Sequence, residues 1–400
     1  MTEFIFICGK NFSVSAAEIV SCLEAGKIGF KVSDYSDEFI AVESEELPGN
    51  ITDNLGGTLK TAKVVFSSKN KNIKKIKKEI AENMDFDRLF SGLPARTVFG
   101  VSSYRSRKEY IILSKFFREK MKDAGINAKY IHLPNDRSSL IHVEVIKKHL
   151  IDKYIELLAC SGKQFYIGKT TGVHNPFEFQ KRDMERPVQR TMYSIPPRLS
   201  RIMINLSMFK KGVLVDAFCG IGGILQEAAL ISADIYGIDN DRECVEGCIK
   251  NLRWLSGEYH IEIKNIENKI RAGDARKLSS YFAENSVDAI VSEPNLGPPL
   301  KERPDYETAK RIIESLNPLY GKAVSEMVKI LKPKKRIVIT SPVFMVKEKP
   351  VGIDMNEISG KNGCLLIDPL REYGISHKFP LMDYEERHNT LRQINVMEKL

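Results

Sequence analysis

The stretch Val213-Leu214-Val215-Asp216-Ala217-Phe218-Cys219-Gly220-Ile221-Gly222-Gly223 decides the fold of the C-terminal half of this 400-residue chain. It opens with a short apolar run that is typical of a buried β-strand, and it passes through an acidic residue into a glycine-rich turn. In open sheets built from alternating strands and helices, ligands bind at such strand ends. The stretch therefore predicts a ligand site at the carboxyl end of a first parallel strand.

Strand-like and helix-like segments alternate along the chain after this stretch. Such alternation predicts an α/β domain with a doubly wound, mostly parallel sheet and helices on both faces. We predict that this domain covers residues 194–400. Its predicted strands include residues 213–216, 235–239, 287–291 and 336–340, and its predicted helices include residues 243–255 and 309–331.

The glycine pattern excludes two common classes of ligand site. A dinucleotide fingerprint needs a glycine at its sixth position, where this chain has Leu225. A phosphate-binding loop needs Gly-Lys-Ser/Thr, which is missing from this turn. An acidic residue before the turn, Asp216, can hold the ammonium group of a cofactor that carries an amino acid. The loop therefore favours an amino-acid-bearing cofactor over a pyrophosphate.

Two further acidic residues lie at the ends of the next two strands. Asp239 ends the second strand, where a carboxylate can accept hydrogen bonds from both ribose hydroxyls. Asp274 lies in Gly273-Asp274-Ala275 and can accept from the adenine amine. Three acids at three strand ends, together with the glycine-rich turn, predict a site for S-adenosylmethionine.

The loop Ser292-Glu293-Pro294-Asn295-Leu296 follows the fourth predicted strand. An exocyclic amine is a poor nucleophile because its lone pair is delocalised into the base. A carboxylate and a neighbouring backbone carbonyl can hold the two amine hydrogens, which turns the lone pair toward the methyl donor. Glu293 and Pro294 fit this scheme, and a purely structural proline-rich loop is the alternative.

The first half of the chain mixes strand-like and helix-like segments in a different order. Residues 1–67 are predicted to form a small α+β domain, and residues 68–170 a second α+β domain. Residues 171–193 are polar and irregular, which predicts a linker. One predicted helix begins at residue 13, and two others cover residues 109–124 and 139–150. The predicted strands are residues 4–8, 39–42, 62–66, 97–102, 128–131, 155–158 and 165–169.

The basic excess of the chain lies in its middle. Residues 51–190 hold 28 Lys and Arg against 15 Asp and Glu, whereas residues 191–400 hold 30 against 28. A localised positive field attracts a polyanion, because phosphate contacts supply most sequence-independent affinity for nucleic acids. The distribution predicts a nucleic-acid partner, and a solvated lysine face is the alternative.

The remaining features indicate an intracellular setting. The seven cysteines are odd in number and scattered, which suits a reducing cytoplasm. The apolar N-terminal run lacks a basic preceding region and is typical of a first strand, and no run is long enough to span a bilayer. We expect a cytoplasmic protein without a membrane partner. No metal site is predicted, because Cys244 and Cys248 offer two of the four ligands that zinc needs.

The chain resembles the THUMP-containing tRNA guanosine-N2 methyltransferases, which modify guanosine 10 of tRNA in archaea and eukaryotes, and their bacterial relatives. The resemblance covers nearly the whole chain. Its segments are residues 55–60, 162–170, 195–206, 216–223, 273–275, 331–333 and 388–396.

This resemblance implies a fold, a cofactor and a substrate. It implies a Rossmann-like class I methyltransferase domain with an antiparallel last strand, preceded by an α+β N-terminal domain and a THUMP-like RNA-binding domain. It also implies S-adenosyl-L-methionine as cofactor and tRNA as partner. The expected cofactor-binding residues are Pro196, Asp216, Phe218, Gly220, Gly222, Gly223, Asp239, Asn240, Asp274 and Ala275. The expected catalytic residues are Glu293, Pro294, Asn295 and Leu296.

The catalytic loop departs from the pattern of that family, which is Asp-Pro-Pro-Tyr/Phe. Glu293 is one methylene longer than aspartate, Asn295 brings a side-chain amide, and Leu296 lacks an aromatic surface. The predicted function is methylation of the exocyclic N2 amine of a guanosine in tRNA. Two alternatives stay open: an RNA-binding protein with a weakened methyltransferase domain, and a DNA amino-methyltransferase.

Overall fold

The structure, a computed structural model, falls into two compact units, which are described separately. It describes residues 1–49, 51–190, 194–384 and 388–400. The N-terminal unit comprises residues 1–12 and 28–177, and the C-terminal unit comprises residues 13–27 and 178–400. Within the described ranges, no helix is long and apolar enough to cross a membrane.

The first half of the chain contributes eight strands and five helices to the described residues. The strands are β1 (Thr2–Cys8), β2 (Phe30–Tyr35), β3 (Phe39–Ser44), β4 (Thr58–Ser68), β5 (Arg96–Ser103), β6 (Asn127–Tyr130), β7 (Ile155–Ser161) and β8 (Phe165–Val173). The helices are α1 (Phe12–Ala25), α2 (Ile73–Asn83), α3 (Phe86–Phe90), α4 (Arg107–Asp123) and α5 (His142–Lys147).

These eight strands form one sheet in the order β2-β3-β1-β4-β8-β7-β5-β6. β5 runs parallel to β6 and β7, and the other neighbours are antiparallel. β4 pairs with β8 along most of its length, with Lys63 opposite Lys169. The segments 1–67 and 68–170 therefore share one sheet, and their division into two domains stays a prediction.

The helices of the N-terminal unit bury one apolar side each. On α4, Phe116 and Phe117 are buried, as their helical spacing predicts. On α2, Ile76 and Ile80 are buried and the lysines between them point to solvent. Lys74 and Lys75 on the solvent side are exposed, whereas Lys77 Nζ also lies 5.5 Å from the centre of the Phe116 ring.

One predicted helix is shorter than expected. The prediction covered residues 139–150, whereas α5 covers only His142–Lys147. The backbone of Leu140 is held by other side chains, since its N–H donates to Ser102 Oγ at 2.9 Å and its carbonyl accepts from Lys60 Nζ at 2.9 Å. At the other end His149 has φ +54°, a left-handed conformation that ends a helix.

The second half of the chain builds the C-terminal unit, together with α1. Its strands are β9 (Val213–Asp216), β10 (Asp234–Asp239), β11 (Ile270–Ala272), β12 (Val287–Ser292), β13 (Leu331–Val346), β14 (Lys349–Gly352), β15 (Cys364–Ile367), β16 (Leu381–Asp383) and β17 (Leu391–Lys399). The helices are α6 (Pro176–Met184), α7 (Pro197–Leu206), α8 (Gly223–Ala229), α9 (Arg242–Glu258), α10 (Ile266–Lys269), α11 (Tyr306–Ile330) and α12 (Met355–Lys361).

The main sheet of the C-terminal unit has the order β11-β10-β9-β12-β13-β17-β15. The first five strands are parallel, and β17 runs antiparallel to β13. The doubly wound sheet and its antiparallel last strand are therefore confirmed. The carboxyl ends of β9, β10, β11 and β12 meet at one edge, because parallel neighbours end on the same side.

The predicted linker is not irregular throughout. Residues 176–184 form α6, within residues 171–193 that were predicted as a polar and irregular linker. Arg182 of α6 is buried and pairs with the buried Glu227 of α8, with Nε 2.5 Å from Oε1. Arg201 of α7 binds the other oxygen of Glu227 at 2.9 Å. The polar composition misled the prediction because these polar side chains are packed and paired.

Candidate functional site

The glycine-rich loop that leaves β9 owes its shape to two left-handed residues. Gly220 has φ +48° and Gly222 has φ +90°, conformations that glycine adopts without steric cost. A Cβ atom at position 222 would lie 2.7 Å from the sulfur of Cys248 on α9. α8 begins at the next residue, Gly223. The loop therefore requires glycine at position 222 for both its φ and its close approach to α9.

Asp216 is the last residue of β9, and its side chain is buried at 1% exposure. Its Oδ1 accepts from the backbone N–H of Phe218 at 3.1 Å. Burial raises the pKa of the Asp216 carboxyl to about 7, and the nearby acids Asp239 and Glu293 contribute in the same direction. A cationic group placed beside Asp216 would relieve this penalty, so the site favours an ammonium ligand.

Asp239 ends β10 and ties the glycine-rich loop to the next strand. Its Oδ2 accepts from the N–H of Gly220 at 2.8 Å, and its Oδ1 accepts from the N–H of Asp241 at 2.9 Å. Each carboxylate oxygen has two lone pairs, so both keep one for a ligand hydroxyl. Asn240, also expected to bind the cofactor, is exposed beside it.

Asp274 follows β11 and caps a short 3₁₀ helix, where it accepts from the N–H of Arg276 at 2.9 Å. The Arg276 guanidinium also pairs with it, with Nη2 2.8 Å from Oδ2. Hydrogen bonding to Arg276 lowers the pKa of Asp274. The carboxylate is thus ionised and partly occupied, and Ala275 beside it is buried.

Glu293 lies just beyond β12 and is gripped by an arginine from the last strand. Arg392 donates from Nε to Oε2 at 2.7 Å and from Nη2 to Oε1 at 3.2 Å. Thr340 Oγ1 lies 3.4 Å from Oε2. The carboxylate is nearly buried, with 12% of its side chain exposed. Its orientation is therefore fixed by the protein.

The other residues of the catalytic loop differ in exposure. Pro294 is buried, Asn295 is exposed and Leu296 is half-buried. The Asn295 side chain accepts from the N–H of Gly297 at 2.8 Å, and its carbonyl accepts from the Tyr320 hydroxyl at 3.1 Å. Asn295 therefore shapes the loop through its oxygen atoms.

One pocket joins the two halves of the site. It contains both the acid that ends β9 and the acid that follows β12. Its lining includes Ser194, Asp216, Phe218, Gly220, Gly223 and Glu293.

Sequence reasoning missed three residues at this site. Ser194 and Ile195 line the pocket, whereas the expected Pro196 is exposed at the start of α7. Arg392 holds Glu293 and was not expected to take part. The resemblance to the tRNA guanosine-N2 methyltransferases includes residues 195–206 and 388–396, but it implied no contact for Ile195 or Arg392. A prediction that β17 pairs with β13 would have placed Arg392 near Glu293.

The residues present fit S-adenosylmethionine. A buried carboxylate with a raised pKa suits an ammonium group, and a strand-end carboxylate with free lone pairs suits ribose hydroxyls. At Gly223 an added Cβ would lie 3.0 Å from the Ile195 side chain, so the pocket wall is close-packed there. This set of groups matches an amino acid joined to a nucleoside.

Comparison with known proteins identifies the catalytic domain. Residues 186–348 match the family described as RMKL-like, methyltransferase domain (UPF0020). This match covers less than half of the chain. It is to a methyltransferase domain, which agrees with S-adenosylmethionine as the expected cofactor.

Two curated relatives and one solved structure show what the chain is similar to. The tRNA (guanine(10)-N2)-dimethyltransferase of Pyrococcus abyssi is 26% identical over 202 residues, which are 50% of this chain and 56% of that protein. The enzyme of the same name from Methanocaldococcus jannaschii is 33% identical over 159 residues, 38% of this chain and 42% of that protein. The chain spans about half the length of these relatives.

The crystal structure of TrmN from Thermus thermophilus covers 100% of both chains with a TM-score of 0.52 and 14% identity. At that identity the likeness concerns the fold alone.

Proposed function

We propose that this protein transfers a methyl group from S-adenosylmethionine to the exocyclic N2 amine of a guanosine in tRNA. The observation that carries the proposal is the pocket in which Asp216 and Glu293 are both lining residues. Asp216 suits the ammonium of the cofactor, and Glu293 is an oriented carboxylate at the end of the fourth parallel strand. A cofactor site and an amine-binding acid are thus adjacent.

The acids expected to bind the cofactor lie at three strand ends, and each would bind a different part of the ligand. Asp216 would hold the ammonium group, Asp239 the ribose hydroxyls and Asp274 the adenine amine, with Gly220 and Gly222 letting the ligand approach the backbone. When bound, S-adenosylmethionine supplies an electrophilic methyl group. Asp274 would share its carboxylate between that amine and Arg276, which pairs with it at 2.8 Å.

Glu293 would orient the target amine. Its two oxygens accept from Arg392 and Thr340, and a carboxylate offers about four lone-pair positions. Oε1 carries one of these bonds and keeps a position for one amine hydrogen. The Pro294 carbonyl would accept the other hydrogen. Both bonds strengthen as positive charge builds on the nitrogen, so they stabilise the transition state more than the ground state.

The base itself would meet Leu296 in place of the aromatic residue of the resembled family. Leucine packs against a base face but contributes no π-stacking, whose loss costs about 1–3 kcal/mol per base. The half-buried position of Leu296 is compatible with such a contact. Asn295 would support the loop through its bonds to Gly297 and Tyr320.

The proposed substrate is RNA because the middle of the chain is basic and the curated relatives are named for tRNA. Residues 51–190 carry 28 basic against 15 acidic residues. We propose that the THUMP-like part of the N-terminal unit, residues 68–170, binds the tRNA through its shape and phosphates. Guanosine 10 is the first position to examine, since both relatives carry that position in their names.

The test is an incubation of the full-length protein with labelled S-adenosylmethionine and either unmodified tRNA or genomic DNA, followed by digestion to nucleosides. Labelled N2-methylguanosine or N2-dimethylguanosine from tRNA is the expected product. Labelled N6-methyl-2′-deoxyadenosine from DNA would replace the proposal by the DNA amino-methyltransferase. Binding of tRNA and cofactor without transfer would favour an RNA-binding protein with a weakened domain.

A further inference from the structure

A buried arginine with unsatisfied donors lies before the methyltransferase domain, in the segment that sequence alone predicted as a linker. The side chain of Arg186 is 2% exposed. Its Nη2 donates to Ser194 Oγ at 2.5 Å and lies 3.6 Å from Asp183 Oδ1. Its Nε and Nη1 have no hydrogen-bond partner among the described residues. Two charged donors are therefore withdrawn from water without an acceptor in the described part of the chain.

The segment that carries Arg186 is fastened to the cofactor loop. The Asn251 side chain accepts from the N–H of Val188 at 2.9 Å and donates to the Val188 carbonyl at 3.1 Å. The same amide donates to the carbonyl of Ile221 at 2.9 Å. Asn251 is fully buried, so these bonds are shielded from water. The position of Arg186 relative to the glycine-rich loop is thus fixed.

The guanidinium lies next to two residues of the pocket lining, although Arg186 is not itself a lining residue. Nη1 lies 3.9 Å from the point that a Cβ on Gly223 would occupy, and Nη2 is bonded to Ser194. Gly223 and Ser194 both line the pocket that contains Asp216 and Glu293. Arg186 therefore stands behind the pocket wall, with its free donors beside the glycine-rich loop.

A buried donor without a partner costs free energy, and the penalty is larger for a charged group. Burial also lowers the pKa of Arg186. A carboxylate is the acceptor that matches a guanidinium best, because two parallel N–H groups can bind its two oxygens. The amino-acid part of S-adenosylmethionine carries one carboxylate next to its ammonium.

We propose that Arg186 binds the carboxylate of the cofactor's amino-acid moiety while Asp216 binds its ammonium. The inference rests on the proposed function, since it takes S-adenosylmethionine as the ligand. Recognition of the zwitterion would then require the segment before the domain as well as the strand ends.

The test is calorimetric titration of the full-length protein with two ligands. One is S-adenosylhomocysteine, and the other is its decarboxylated analogue, which keeps the adenosine, the sulfur and the amine. The wild type should prefer the carboxylated ligand by about 10- to 100-fold, the range for a hydrogen bond to a charged group. Arg186→Met should abolish this preference by weakening the carboxylated ligand alone, and Arg186→Lys should retain part of it.

The matched control is Arg190→Met, four residues along the same segment. Arg190 pairs with Asp241 and Glu243 at 2.8 and 2.9 Å, so its removal should leave the ligand preference unchanged. Equal affinity of the wild type for both ligands would overturn the role of Arg186 and leave the proposed function standing. Equal weakening of both ligands in Arg186→Met would also overturn it. A wild type that binds neither ligand would overturn the proposed function as well.

Discussion

Arg392 of β17 and Glu293 after β12 form a two-point ion pair across β13, with Nε–Oε2 and Nη2–Oε1 distances of 2.7 and 3.2 Å. Their meeting follows from the strand order, which inserts the antiparallel β17 beside β13 and places Arg392 opposite Pro342. Arg392 also lies 3.9 Å from Asp383. The last strand of the chain thus contributes directly to the geometry of the loop that follows β12.

We expect Arg392→Met to lower kcat about 10- to 100-fold while the Kd for S-adenosylhomocysteine stays the same. The reason is that Arg392 holds the carboxylate of Glu293, which is an expected catalytic residue and not an expected cofactor-binding one. Arg392→Lys should restore part of the rate, because one charged donor remains. Steady-state kinetics on tRNA and calorimetry provide the two readouts.

The control for Arg392 is Arg336→Met. Arg336 pairs with Glu398 at 3.2 Å between the same two strands, at the other end of β17. Its loss should affect stability without changing kcat. An unchanged kcat in Arg392→Met, or a matching loss in Arg336→Met, would refute a positioning role for Arg392.

We expect Asp239→Ala to weaken S-adenosylhomocysteine binding at least tenfold. The substitution removes an acceptor for the ribose and also frees the N–H of Gly220, which Asp239 holds at 2.8 Å. Isothermal titration measures the change. Asp234→Ala, at the opposite end of the same strand, is the comparison and should bind normally. Undiminished binding by Asp239→Ala would contradict the assigned site.

Cofactor affinity should rise with pH between 6 and 8. Burial raises the pKa of Asp216 to about 7, so the ligand-free carboxyl is largely protonated at pH 6 and largely ionised at pH 8. A ligand ammonium favours the ionised form, so the protein should release a proton on binding. The expected gain in affinity is about tenfold, following the ionised fraction. Calorimetry in buffers of different ionisation enthalpy measures the proton release.

In the ligand-free protein, the contribution of Asp216 to the stability of the fold changes with pH in the opposite direction. The raised pKa of Asp216 stabilises the fold at low pH, and that contribution is lost as the pH rises through about 7. Asp216→Asn should bind more weakly and show a flat pH dependence over the same range. A wild-type affinity that falls or stays level between pH 6 and 8 would contradict the ammonium assignment.

Charge reversal on α2 should weaken tRNA binding. Lys74 and Lys77 are exposed on this helix, and Lys74→Glu with Lys77→Glu removes two cations from the basic part of the chain. We expect about a tenfold loss of affinity at low salt and a shallower slope of log K against log salt. Filter binding with full-length protein provides both numbers. The double variant Lys310→Glu and Lys322→Glu on α11 is the control, and an equal effect there would argue against a special role for α2.

Much of the fold was accessible from sequence because alternating apolar runs and strand-end motifs are local signals. β9, β10 and β12 and the long α11 lie where their patterns predict them. The order of the strands is set by packing, so the neighbour of β13 was beyond a reading of local pattern. α6 was not predicted for a related reason, because the burial of Arg182 depends on Glu227, which is 45 residues away in sequence.

The site divides in the same way. The acids at strand ends and the glycine-rich loop could be predicted because each carries its chemistry in a short motif. Arg392 could not, because its partner Glu293 lies 99 residues away in sequence. Arg186 was hidden in a segment whose composition indicates solvent exposure, and only its burial shows that its donors lack acceptors.

The most direct test of the central claim is single-turnover methylation of unmodified tRNA by the wild type and by Glu293→Gln, with the product nucleoside identified by mass spectrometry. The wild type should form N2-methylated guanosine. Glu293→Gln keeps the size of the side chain but loses its charge, so its rate should fall about 100- to 1000-fold while cofactor and tRNA affinities hold. Equal rates for the two proteins, or a product methylated at another atom, would contradict the account.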